Sequence, residues 1–142
     1  MLLSASATSA PSVLASVRVD PAGSATALCG ALQGLAPAAS TASVRALMVT
    51  IDDGFTRSFV VQPPSGARGL RELRASAAAR FATLYGESAE SWLLAADWQA
   101  TRPFVASAVP RQLYAAFEEL AWRLGCRLDS VSTAMIPVWN RV

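Results

Sequence analysis

Twice along the chain, two strand-like runs are followed by one amphipathic helix, and this rhythm restricts the chain to a small α+β arrangement. Val44 to Ile51 and Phe55 to Gln62 are apolar, β-type runs on either side of Asp52-Asp53-Gly54. An Asp-Gly step between such runs reads as a hairpin turn, because glycine accepts the positive φ that the turn needs. Pro63-Pro64 then stops the second run. From Leu70 to Tyr85, the residues Leu70, Leu73, Ala77, Phe81 and Leu84 fall on one stripe at helical spacing, and Gly86 suits the position just past the helix end. Trp92 to Trp98 and Phe104 to Val109 form the second strand pair, joined across Gln99 to Arg102. Pro110 stands where the next helix begins, Leu113, Phe117, Leu120 and Leu124 make its buried stripe, and Gly125 ends it. Arg127 to Ile136 is the last strand.

Before this region, Val13 to Val19 alternates as a strand closed by Asp20-Pro21. Ser24 is placed to cap a short helix carrying Leu28, Leu32 and Leu35, which Gly30 and Gly34 weaken. Pro37 to Ser43 reads as a linker of small residues, and residues 1–12, rich in serine, as a loose N-terminal leader. The expectation is a single α/β domain over residues 13–142, in the order β-α-β-β-α-β-β-α-β. Such a chain makes a small antiparallel or mixed sheet with about three helices packed on it. No solenoid-length repeat is present.

The chain has 142 residues, 53% of them hydrophobic and 15% charged, which is enough apolar material for a core. Every basic residue is arginine, and alanine is abundant, a composition that fits a GC-rich bacterial source. The net charge of +2 is spread along the chain, so no basic stripe for nucleic acid forms. Arg68, Arg71, Arg74 and Arg80 are the densest group; Glu72 interrupts them, and no aromatic residue interleaves, so they read as a solvated helix face. No apolar run approaches the roughly 20 residues of a membrane span. Met1 to Ser12 lacks the basic start of a signal peptide.

Histidine is absent, which removes the commonest general base and the commonest zinc ligand together. Asp52-Asp53-Gly54 resembles the Asp-x-Gly by which actin-like ATPases set a carboxylate near magnesium, with Thr56 and Ser58 as nearby hydroxyls. The hairpin turn is the favoured reading, because one phosphate loop is not a site and no second one follows. Glu87, Glu90 and Asp97 are dispersed around a turn and a strand and read as solvent-facing acids. Cys29 and Cys126 are far apart without metal spacing, and two reduced thiols are the default. Cys126 follows a helix C-terminus, whose negative end opposes thiolate formation. We therefore expect no catalytic residues, no cofactor and no metal, and read the chain as non-enzymatic.

The tryptophans carry more information. Trp92 and Trp98 lie on one side of a strand, with core as the default; the alternative is a small-molecule-binding α+β module in which both line a pocket. Trp122 lies opposite the stripe Leu113, Phe117, Leu120 and Leu124, in the company of Arg111, Ala115 and Glu118. An indole on the polar face of an amphipathic helix is a contact residue by type, which makes Trp122, Glu118 and Arg111 the candidate partner-binding set; cover by the N-terminal leader or by a second copy, a homodimer, is the competing reading. Glu119 and Arg123 make an ordinary i,i+4 pair beside it. Val13 to Val19 and the last strand are candidate open edges suited to strand addition.

From about Ala27 onward the chain resembles the middle of PilM-like and GspL-like proteins, the actin-like assembly proteins of type IV pili and type II secretion. The resemblance rests on Leu32-Gln-Gly-Leu35, on Val44-Arg-Ala-Leu-Met-Val-Thr-Ile with its return strand Ser58-Phe-Val-Val-Gln-Pro, and on a helix ending Leu84-Tyr-Gly. It continues through Phe104-Val-Ala-Ser-Ala-Val-Pro, the helix to Gly125, and a last strand closing on Trp139-Asn140. It implies an inserted or subunit-contacting subdomain of the actin-like fold. The family's nucleotide loops lie outside the matched region, so no ATP-binding residue carries over, and Asp52-Asp53-Gly54 falls at a hairpin. The function implied is a scaffold or adaptor in bacterial pilus or type II secretion assembly, cytoplasmic or peripheral to the inner membrane, holding a protein partner. A nucleotide-binding actin-like remnant using Asp52, Asp53 and Gly54 is the alternative.

Overall fold

The computed structural model describes residues 2–5, 12–16, 25–39, 46–67 and 69–134. Its elements run β1 (Leu2–Ala5), β2 (Ser12–Ser16), α1 (Ala25–Ala39), β3 (Ala46–Ile51), β4 (Arg57–Val61), α2 (Leu70–Tyr85), β5 (Trp92–Ala96), β6 (Phe104–Pro110), α3 (Arg111–Arg123) and β7 (Arg127–Thr133). Three helices with mixed parallel and antiparallel strands make this an α+β fold, in the expected order with one added N-terminal strand. That strand, β1, lies in the stretch read as a loose leader and pairs antiparallel with β2. The chain divides into two compact units, Met1–Gly54 with Gln112–Val142, and Phe55–Arg111.

In the first unit β3 and β7 form a parallel ladder, from Ala46 opposite Arg127 to Ile51 opposite Thr133. Parallel neighbours need a long crossover, and here everything from residue 52 to residue 126 intervenes. Period two decides the faces of β3: Leu47, Val49 and Ile51 are buried, while Met48 is 73% exposed. Among the described residues, the other buried apolar side chains of this unit are Leu28 and Leu32 from α1, and Leu113, Phe117, Leu120 and Ala121 from α3. Helix α1 runs through Gly30 and Gly34, which cost about 1 kcal/mol each, and continues to Ala39, over the start of the expected linker. The proposed cap Ser24, residues 17–20 and residues 135–136 lie outside the described residues. Thr133 is buried, and its hydroxyl has no hydrogen-bond partner among the described residues.

The expected hairpin around Asp52-Asp53-Gly54 does not form. Strand β3 pairs with β7, and β4 pairs antiparallel with β6, so the two runs join different ladders. Asp53–Phe55 is a single 3-10 turn, and the Gly54 N–H donates to Asp52 Oδ1 at 2.9 Å. Gly54 is not among the glycines with positive φ, so the conformation that motivated the hairpin is not used. An Asx turn satisfies the same dipeptide without reversing the chain into its own partner.

The second unit is an antiparallel sheet in the order β4-β6-β5. The hairpin of β5 and β6 matches the sequence, running from Trp92 opposite Pro110 to Ala96 opposite Ala106. Phe59, Val61, Phe104, Ala106 and Ala108 line one face, and Leu73, Ala77 and Phe81 of α2 complete the core. Leu70 and Leu84, expected on the buried stripe, are 43% and 44% exposed; at the C-terminal end of α2 it is Tyr85, one position further on, that packs against the core. The helix ends as expected at Gly86, in the left-handed region at φ 68°, its N–H donating to the Ala82 carbonyl. Trp92 and Trp98 are half-buried and pack against this core, Trp92 on Phe81 and Trp98 edge-on to Phe104.

Candidate functional site

Helix α3 begins directly after Pro110, and its C-terminus is closed by a Schellman pattern. The Gly125 N–H donates to the Trp122 carbonyl and the Cys126 N–H to the Ala121 carbonyl, each at 3.0 Å, with Gly125 at φ 65°. This closure holds the last turn, and with it the backbone of Trp122. The stripe Leu113, Phe117 and Leu120 is buried as its spacing requires. Leu124, expected on that stripe, is half-buried, and Ala121 takes the inner position instead, because the helix has ended before Leu124 can turn inward.

The opposite face carries the predicted set. Trp122 is 80% exposed, and Glu118, four residues before it, is also exposed. Residues four apart are neighbours on a helix, so the structure brings Glu118 and Trp122 together. Arg111 is exposed at the helix start, but its Nε donates to the Glu90 carbonyl at 2.7 Å. It is tied to the turn before β5 and stands eleven residues, roughly 16 Å of helix, from Trp122. Beside Trp122, Arg123 pairs with Glu119 as expected. An indole left this exposed on a rigid helix is a large apolar surface at low conformational cost to a binding event.

The other constellations are occupied structurally. Asp52 and Asp53 are exposed, and the Gly54 N–H that a phosphate loop would offer is already donated to Asp52. Trp92 Nε1 donates to Glu87 Oε2 at 3.0 Å, and its ring lies under the Arg57 guanidinium, which also sits over Tyr85. Arg74 lies over Trp98. Both tryptophans are therefore part of the core and its cover, their default reading. Cys29 and Cys126 are free thiols. Burial pushes both thiols up, against a smaller lowering by backbone hydrogen bonds, so neither is set up as a nucleophile. For Cys126 the direction matches the sequence argument, but its cause is burial. Among the described residues no three histidine, cysteine or carboxylate side chains group to hold a metal, and no helix is long and apolar enough to cross a membrane.

Sequence reasoning missed the aromatic stacking of Arg57, which depends on two elements meeting β4 from different parts of the chain. It also passed over the exposed pair Val60 and Val105, directly opposite each other on β4 and β6. Period two on either strand, with Phe59 and Val61 inward, was the signal that could have found them.

Comparison with known proteins bears on the fold. No protein-family model matches the sequence, and no curated protein matches it. Among solved structures, the chain is similar to the cytoplasmic domain of EpsL, an inner membrane component of the type II secretion system of Vibrio cholerae, with a TM-score of 0.61 at 14% identity. The match covers 87% of this chain and 45% of that one, so the chain spans less than half the length of the protein it resembles. At this identity the likeness is one of fold, and the fold it supports is the GspL-like one.

Proposed function

We propose that this chain is a non-catalytic scaffold or adaptor domain in bacterial pilus or type II secretion assembly, holding a partner protein on the cytoplasmic side of the inner membrane. The observation that carries the reading is the fold shared with the cytoplasmic domain of a type II secretion component. The step from fold to role is an analogy. Within that class we assign the chain to the PilM-like and GspL-like actin-like assembly proteins, as a subdomain that holds no nucleotide. Three features support a role without chemistry: the donated Gly54 N–H, the two thiols pushed up by burial, and tryptophans engaged in the core.

The partner is held by the exposed face of α3, with Trp122 as the anchor and Glu118 and Arg111 on the same helix. Exposed tryptophan is enriched at binding hot spots, where truncation costs more than about 2 kcal/mol. The test is Trp122→Ala in the full chain, assayed by co-purification from the native cell and by thermal melting. Loss of the co-purified partner with a melting temperature within about a degree of the parent is the expected result. Unchanged co-purification would remove α3 as the binding face, and a large drop in melting temperature would make Trp122 structural.

A further inference from the structure

The charge around Trp122 specifies which kind of group docks there, an inference that rests on α3 being the partner-binding face. In the unit holding residues 112–134, both described arginines are already paired, Arg123 with Glu119 and Arg127 with Asp129. Glu118 has no ion pair or hydrogen bond among the described residues. The cation at the other end of the helix, Arg111, stands seven residues from Glu118, about 10 Å along the axis, and is bonded to the Glu90 carbonyl. At roughly one Debye length it does not neutralise Glu118.

Glu118 and Trp122 thus present a carboxylate without a partner among the described residues, one turn from an exposed indole face. Both attract a cation: the carboxylate by charge, the ring by its quadrupole. A guanidinium satisfies the two at once, its plane stacking on the indole while its N–H fork reaches the carboxylate. An acidic segment would be repelled by Glu118. A purely apolar one would bury that carboxylate without a partner, which costs more than the contact returns. We infer that Glu118 and Trp122 form the docking point for an arginine on a basic segment of another protein.

The experiment uses the full chain in its native cell, with Ala115, exposed on the same face, replaced by photoreactive p-benzoylphenylalanine. Mass spectrometry then reads the crosslinked segment. The expected segment belongs to another protein and contains arginine beside the crosslinked residue. Its yield falls about fivefold in Glu118→Arg and in Trp122→Leu, and less in Glu118→Gln. Thermal melts of the three variants check that each is folded. A crosslink to an acidic or apolar segment, a crosslink to a second copy of this chain, or a yield unmoved by Glu118→Arg overturns the arginine inference while leaving α3 as a docking face. No crosslink above that of the same probe at exposed Ala79 on α2 removes both.

Discussion

Phe81→Ala should be the most damaging single truncation in the second unit. The side chain is fully buried at the centre of the α2 core. Its ring lies 5.8 Å from Phe59, 5.0 Å from Tyr85 and 5.2 Å from Trp92, each tilted in the favourable range. Truncating a buried phenylalanine costs about 3–5 kcal/mol through lost transfer energy and the cavity left behind. Three ring contacts, each worth roughly 0.5–1.5 kcal/mol beyond burial, put this site at the upper end of that range, since such terms do not simply add. Collapse into the cavity is restricted, because the facing Ala106 and Ala108 are small and already fully buried. With a urea slope of about 2 kcal/mol/M, a loss of about 5 kcal/mol lowers the midpoint by about 2.5 M. Urea unfolding followed by near-UV circular dichroism reads this directly, because the tryptophan and tyrosine involved report on the same cluster. A midpoint shift below about 0.5 M would mean that α2 does not seat on this sheet through Phe81, and the account of the second unit's core would fail.

Gly86→Ala should destabilise by about 1 kcal/mol, because a Cβ is strained at φ 68° although nothing crowds it sterically; a thermal melt unchanged from the parent would contradict the closure drawn for α2. Thr133→Val removes a buried hydroxyl that has no partner among the described residues and keeps the side-chain shape, so it should leave stability unchanged or raise it by about 1 kcal/mol in a denaturant titration, with a loss showing that the hydroxyl is bonded after all. ATP with magnesium should leave the melting temperature of the chain where it is, since the Gly54 N–H is already used; a clear upward shift would favour the nucleotide-binding alternative at Asp52 and Asp53.

Of the candidate site, the exposed placement of Trp122 and Glu118 was legible in the sequence, because helical periodicity assigns faces once Leu113, Phe117 and Leu120 are taken as inward. That Arg111 is tied to Glu90 was not, since the carbonyl it meets belongs to the turn before β5 and comes from elsewhere in the chain. The likeness to a secretion component's cytoplasmic domain agrees, at the level of fold, with the GspL-like part of the family resemblance.

Local pattern by itself determined the existence and kind of nearly every element from Leu70 to Thr133, including the β5 and β6 hairpin, Gly86 and Gly125. These features depend on residues within a few positions of one another, and period, cap chemistry and turn length are written there. Which strand pairs with which was decided only in three dimensions. Asp52-Asp53-Gly54 has the composition of a hairpin turn, yet β3 lies parallel to β7 and β4 antiparallel to β6. A ladder forms where two strands can bury matching faces together, and the partners of β3 and β4 are separated from them by tens of residues. No local signal at positions 52–54 records that choice.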